Sequence, residues 1–294
     1  MVVDCHAHVA PELTGSRKPL RHGRVMHKGR AVQWLPPSFD PPASHPETLL
    51  AYMDEIGIAH AYLVQHYGWG DQNMAILRAV QQWPDRFTGF AFLPSIGGPD
   101  AADQLERLID AGMAGLKIEL GLTRQMWPGF RLGGVNECGI WDRLAHLQGP
   151  LMLDANAGTP ADTKAVRWMV DQFPTLRISI CHAGGPPASS WRERALLGGH
   201  PRVWLDLSGL PGMCCPGEEY PYPAAQHVVR WVAETLGVTR VMWGTDYPTV
   251  LRYGTYQQHL DYVRTHCAFL TADQKTAVFG GAARDFLGGP SRPV

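Results

Sequence analysis

Residues 115–120 read Gly-Leu-Lys-Ile-Glu-Leu, and this alternation decides the fold. Leu116, Ile118 and Leu120 share one side of a β-strand, while Lys117 and Glu119 share the other. Such a strand needs an apolar layer against its first face and an enclosed polar interior against its second. Working outward, further short apolar runs lie at 2–6, 59–65, 87–93, 150–154, 177–181, 203–207 and 241–244. Between them run helical patterns at 46–56, 73–83, 100–111, 137–147, 161–172, 187–196 and 224–236, and two more at 255–266 and 272–286 close the chain. The first helix has Ser44 and Glu47 at capping-box spacing, Pro46 in its first turn and Gly57 as a stop. Strands alternating with helices in this way predict an α/β fold, a (β/α)8 TIM barrel occupying 1–294 as one domain.

Two connections are too long for plain turns: a Pro-rich stretch at 9–45 holding Trp34 and Phe39, and 208–223. They are the βα loops after strands 1 and 7, on the face where barrel active sites are built, and long loops there usually wall a pocket. The 294 residues suit one barrel of about 250 residues plus these decorations. With 45% hydrophobic and 18% charged residues, the chain has the composition of a large core rather than of a disordered segment. A net charge of -1 leaves no electrostatic footprint for nucleic acid or an anionic membrane. The opening Met-Val-Val-Asp lacks the basic and apolar regions of a signal peptide, and no apolar run is long enough to span a bilayer. Cysteines at 5, 138, 181, 214, 215 and 267 form no CxxC pair, so we expect reduced thiols in a cytoplasmic protein.

The strand ends carry the chemistry. On strand 1 the even positions Val2, Asp4, His6 and His8 share a side, which points two imidazoles the same way at spacing suited to one metal. Strand 4 contributes Lys117 and Glu119 to the interior, and a salt bridge between these two is the plain alternative. Strand 5 ends in Asp154 with Asn156 two residues on. His182 follows strand 6, sharing parity with Ile178 and Ile180, and strand 7 puts Trp204, Asp206 and Ser208 on one side. Asp246 follows strand 8, and His66 closes strand 2 beside the same mouth. So many buried carboxylates are costly unless a divalent metal supplies positive charge. The other histidines, among them His60, His200, His259 and His266, fall on loops or helices aimed away from the barrel.

These motifs resemble the amidohydrolase-2 (amidohydrolase-related) family, the group that contains aminocarboxymuconate-semialdehyde decarboxylase. The resemblance is carried by Val3-Asp-Cys-His-Ala-His-Val9, Cys181-His-Ala-Gly-Gly185 and Trp243-Gly-Thr-Asp-Tyr-Pro248, and extends to Trp83-Pro-Asp-Arg-Phe and Val203-Trp-Leu-Asp-Leu-Ser. It implies a metal held by His6, His8 and Asp246, with His182 as acid/base or second-metal ligand. The chain departs from the family pattern in having Asp154 where a strand-5 histidine is usual, Ala282-Ala283 for an Asn-Ala in the closing helix, and an additional interior carboxylate in Glu119. His6, His8, Glu119, Asp154, His182 and Asp246 together outnumber the three protein ligands of a typical catalytic zinc. Two ions per chain (Zn, Mn or Fe) would use them all and balance the carboxylate charge; alternatively Lys117 bridges as a carbamate.

The leading expectation is therefore a metal-dependent hydrolase or decarboxylase acting on a small carboxylate-bearing or cyclic substrate. In it Asp246 and His182 handle protons, and Lys117, His66, Trp34 and Asn156 contact the substrate. Arg124 and Arg252 are further candidates to pair with a substrate carboxylate, and Trp69, Trp127, Tyr220 and Tyr222 to line its pocket. A carboxylate-rich pair of ions also suits a dimetal iron or manganese oxygenase, and a third reading is an inactive subunit. The partners expected are a small-molecule substrate and either a second copy of the chain or a related subunit, with no nucleic acid and no membrane.

Overall fold

Eight parallel strands form one sheet in sequence order, and the two ends of that sheet meet. They are β1 (Val3–Ala7), β2 (His60–Leu63), β3 (Phe87–Ala91), β4 (Gly115–Glu119), β5 (Leu151–Asp154), β6 (Ile178–Ile180), β7 (Val203–Asp206) and β8 (Val241–Met242). Closure comes from the Cys5 N–H donating to the Trp243 carbonyl (3.0 Å) and the His8 N–H to that of Tyr247 (2.8 Å). The protein is seen here as a computed structural model that describes residues 1–134 and 137–288, without the side chain of Cys138. Among the described residues Cys5, Cys181, Cys214, Cys215 and Cys267 are free thiols, and no helix is long and apolar enough to cross a membrane. The barrel is a (β/α)8 TIM barrel.

Two apolar layers follow from the alternation along each strand. Leu116, Ile118, Leu151, Leu153, Ile178, Ile180, Val203 and Leu205 face outward into the helix layer. Val3, Cys5, Tyr62, Phe90, Met152, Cys181, Trp204 and Met242 face inward. The interior is plugged by Phe286 of the closing helix Ala282–Phe286, whose ring packs on Trp204 and Phe90. Arg177, just before β6, donates to the Phe286 carbonyl (2.7 Å), which places this plug at the amino ends of the strands. The carboxyl ends are left for polar side chains.

Several expectations change in detail. Ser44 does not cap the first helix, Pro46–Ile56, whose N-cap is His45; its hydroxyl donates instead to the His8 carbonyl (3.0 Å) and ties the long loop to β1. Gly57 does stop that helix, at φ 77. The helix expected at 187–196 is only Trp191–Ala195; ahead of it the chain makes turns, with the Ala188 N–H donating to the Gly185 carbonyl (3.2 Å) and the Trp191 N–H to that of Ala188 (2.9 Å). The 9–45 connection carries a three-stranded antiparallel sheet of Lys18–Pro19, Arg24–His27 and Arg30–Gln33. Its hairpin turns on Lys28 and Gly29, both at positive φ as that tight turn requires; without an Asn-Gly or Asp-Gly pair the sequence does not announce it.

Candidate metal centre

The strand register places His6 and His8, and it does so through a bulge. Asp4 pairs with Ala61 and Ala7 with Leu63, so β1 spends one residue more than β2 between these points. Ala61 and Leu63 face the helix layer, so Asp4 and Ala7 do too, and the reading that grouped Asp4 with His6 on one side is corrected. The Asp4 carboxylate accepts from Tyr256 OH (2.6 Å), the Thr245 hydroxyl (2.5 Å) and the N–H groups of His6 and Thr245. Burial raises its pKa to about 6 against the pull of these bonds. Asp4 fastens the bulge to the segment carrying Asp246. Cys5 and His6 then both reach the interior, and His8 follows beyond Ala7.

Each of the three strand-end imidazoles is held by Nδ1. His6 Nδ1 pairs with Asp206 Oδ2 (3.0 Å), His8 Nδ1 with the Val64 carbonyl (2.9 Å), and His182 Nδ1 with the Ser208 carbonyl and hydroxyl (both 2.9 Å). With Nδ1 donating, Nε2 keeps its lone pair, the arrangement that outer partners impose on metal-binding histidines. His8 Nε2 lies 2.9 Å from Asp246 Oδ1, and His6 Nε2 lies 3.9 Å from the same oxygen. Ligands at about 2.1 Å in a tetrahedral shell sit about 3.4 Å apart, so this trio fits one small divalent cation. Asp246 is delivered on a backbone at φ 70, with its N–H donating to the His6 carbonyl (2.8 Å).

His182 reaches the site by a route that parity misses. Ile178 and Ile180 face the helices, so continued strand geometry would send residue 182 there as well. Instead His182 and Ala183 take left-handed conformations (φ 56 and 49), which turn the imidazole inward to 4.8 Å from the His6 ring. Beneath it, Asp206 Oδ1 accepts from the His182 N–H (2.8 Å), the Ser208 N–H (3.1 Å) and the Ser208 hydroxyl (2.5 Å). Burial opposes ionisation of Asp206, yet His6, His182 and Ser208 hold it well below the usual carboxylate range.

The remaining predicted residues form a second group. Glu119 does not pair with Lys117: its Oε1 binds His66 Nδ1 (2.6 Å) and its Oε2 accepts the Tyr67 N–H (2.8 Å). Lys117 is fully buried and donates to Cys181 Sγ (3.2 Å). Burial opposes its charge, but Cys181, Asp154, Glu119 and Asp206 hold it above the ordinary lysine range. Asp154 accepts the Asn156 N–H (2.9 Å), and Asn156 Oδ1 is buried without a partner. Trp34 stacks on His66, and Trp69 lies 5.6 Å from the His8 ring. Other predicted contacts lie elsewhere: Arg124 is matched to Asp162, Arg252 lies over Tyr253, Trp127 packs beside Gly97, Tyr222 stacks on His259 and Tyr220 packs against His266. His60 bonds the Asp85 carbonyl and Thr88.

The donor groups brought together among the described residues are His6–His8–Asp246 and His6–Cys181–Asp206, each with its ligand atoms within 4.8 Å of one another. Of the two, the first is the better metal centre. In the second, Asp206 already holds the Nδ1 side of His6, and burial lifts the Cys181 thiol far above its usual range. A recess of about 640 Å³ lined by Arg124, Leu132, Asp162 and Trp168 holds none of these groups, so we place the chemistry at the strand ends. Sequence reasoning missed Arg17, which is buried against Trp34. Nothing in the Gly-Ser-Arg-Lys stretch around it marks it out from an exposed loop.

A family model described as Amidohydrolase matches residues 3–289. The L-fucono-1,5-lactonase of Burkholderia ambifaria is 35% identical over 141 residues, which cover 44% of this chain and 47% of that protein. The chain thus spans about half the length of the curated relative it matches. An amidohydrolase from Burkholderia multivorans with bound zinc superposes with a TM-score of 0.73 at 16% identity, covering 99% of this chain and 100% of that one. The 5-carboxyvanillate decarboxylase LigW from Sphingomonas paucimobilis gives 0.57 at 21% identity, with 82% of each chain covered. At these identities the two structures establish the shared barrel.

Proposed function

This chain belongs to the amidohydrolase family, and from that premise we propose that it is a metal-dependent hydrolase of a small cyclic ester or related carbonyl compound, using one divalent ion. The observation that carries the reading is the pair of imidazoles, His6 and His8, tied at Nδ1 with both Nε2 lone pairs facing Asp246 Oδ1. His6, His8 and Asp246 would hold the ion, which supplies positive charge to polarise a carbonyl and make water acidic.

The charges favour one ion over two. Glu119, Asp154, Asp206 and Asp246 face three buried cations, Lys117, Arg17 and Arg194. One negative charge remains when the histidines are neutral, which one divalent ion covers and two would far exceed. The expectation of two ions counted the carboxylates without these cations and took Glu119 as a ligand. His66 and Tyr67 bond its two oxygens, which favours a Glu119 that stays outside the metal centre.

The chain's own groups then divide the work. Asp246 Oδ2, beside Gly209 and with its companion Oδ1 on His8, accepts the proton of the attacking water. His182, steadied at Nδ1 by Ser208, takes that proton from Asp246 onto its Nε2 lone pair and hands it to the leaving oxygen. Asp206 positions His6, His182 and Ser208 together. Trp34 and Trp69 keep bulk water from the cluster. The test is a panel of five- and six-membered lactones, neutral and carboxylate-bearing, assayed by acid release with zinc- or manganese-loaded protein. Turnover that drops at least 100-fold in His182→Asn and in Asp246→Asn supports the reading. A metal-loaded protein inert on lactones but releasing carbon dioxide from aromatic carboxylates would replace it with decarboxylation.

A further inference from the structure

The loop leaving β1 carries Arg17 over the barrel mouth, where its N–H donates to the Gly68 carbonyl (2.9 Å). The guanidinium lies over Trp34, with Cζ 3.5 Å from the ring centroid, and Trp34 stacks on His66 with the planes 3° apart. His66 in turn lies 6.2 Å from the His8 ring, so the stack leads directly to the metal centre. Stacking occupies the face of a guanidinium and leaves its edge N–H groups for acceptors in the plane. On Arg17, which is 6% exposed, Nε and Nη1 are both buried with no acceptor among the described residues.

Neighbouring carboxylates do not answer them. Glu119 and Asp246 face Arg17 electrostatically, but both Glu119 oxygens are taken by His66 and Tyr67, and Asp246 Oδ1 by His8. Burial lowers Arg17 to about 10, which leaves it cationic at neutral pH. Around it, Trp34 Nε1 and Trp69 Nε1 are buried without acceptors as well. The cluster is rich in donors and short of acceptors. A buried cation with unanswered donors is a poor structural element and a good anion receptor.

We propose that Arg17 is the anchor for a carboxylate on the substrate, held in the plane of the guanidinium above Trp34. This assignment rests on the hydrolase reading and gives it a substrate class: a small organic acid whose carboxylate sits at Arg17 while its scissile carbonyl lies at His6, His8 and Asp246. Arg17 then sets specificity against neutral analogues, because those leave its donors unanswered.

The experiment uses benzoate and its neutral counterpart benzamide, titrated calorimetrically into metal-loaded protein, into Arg17→Met and Arg17→Lys, and into the metal-free His6→Ala/His8→Ala variant. Benzoate should bind wild type and lose about 10- to 100-fold in Arg17→Met, with partial recovery in Arg17→Lys and no change for benzamide. The double histidine variant should keep the Arg17-dependent part of benzoate binding, which separates this anchor from carboxylate binding to the metal. A purely structural arginine would lose Tm in Arg17→Met with benzoate and benzamide affinities changing alike, whereas an anchor loses benzoate selectively. Should Arg17→Met fail to fold, a loss of benzoate affinity in Arg17→Lys without a change for benzamide serves in its place. No binding of benzoate to wild type, or equal benzoate affinity in a folded Arg17 variant, overturns the proposal. A wild type that takes up no metal refutes the hydrolase reading alone, because the benzoate difference is still measurable.

Discussion

Replacing Asp206 with Asn is expected to weaken metal binding about 10- to 100-fold while leaving the chain folded. Asp206 Oδ1 serves three donors, the N–H groups of His182 and Ser208 and the Ser208 hydroxyl, while Oδ2 serves His6 Nδ1. The amide oxygen of Asn satisfies the three donors, so its NH2 turns toward His6. Facing a donor, His6 Nδ1 must become an acceptor, and the ring proton moves to Nε2, the lone pair otherwise aimed at the cation. Each of the three bonds to Oδ1 weakens by about 1 kcal/mol when its acceptor loses charge. Removal of a buried charge offsets this, so metal-free stability should change by no more than about 2 kcal/mol. The assay is competition with a fluorescent zinc chelator, alongside urea unfolding of the metal-free protein. Ser208→Ala serves as a control, since it touches His182 and leaves the His6 bond intact. A folded Asp206→Asn variant with wild-type metal affinity would refute the tautomer argument.

Two further outcomes test the frame around the site. His259 stacks on Tyr222 and bonds the Val250 carbonyl, and burial lowers its pKa to about 4. Against an unfolded value near 6.5, the unfolded chain takes up the proton first as pH falls, so stability declines from about pH 6.5 to about pH 4. Between pH 7 and pH 5 this group alone costs about 2 kcal/mol; urea midpoints should show a shallower decline in His259→Phe, and an unchanged slope would count against it. Phe286→Ala empties the plug between Trp204 and Phe90 and should cost about 3–5 kcal/mol. Because that plug lies at the amino ends of the strands, metal content should hold; a loss under 1 kcal/mol would show that the interior collapses readily.

The strands were legible because each carries apolar residues toward the helices, as at Leu116 and Ile118, and because polar residues gather at their carboxyl ends. His6, His8 and Asp246 could be named from their positions after β1 and β8, and Asp206 could be placed on the inner side of β7. What the sequence hid lies in backbone irregularity and long-range pairing. The β1 bulge is visible only in the register with β2, and strict parity therefore misplaced Asp4. His182 turns inward only because it adopts a left-handed conformation. Glu119 looked available to a metal or to Lys117 because nothing local reveals that His66, from another strand end, binds it. Arg17 reaches the mouth through a docked loop whose hairpin has no strong turn signal.

The account's central claim is one divalent ion on His6, His8 and Asp246. Its most direct measurement is the metal-to-chain ratio, by plasma mass spectrometry after saturation and desalting, in wild type, His8→Ala and Glu119→Gln. We expect one ion per chain in wild type, the same in Glu119→Gln, and none retained in a folded His8→Ala. Two ions per chain in wild type, falling to one in Glu119→Gln, would contradict the account and return Glu119 to the metal centre.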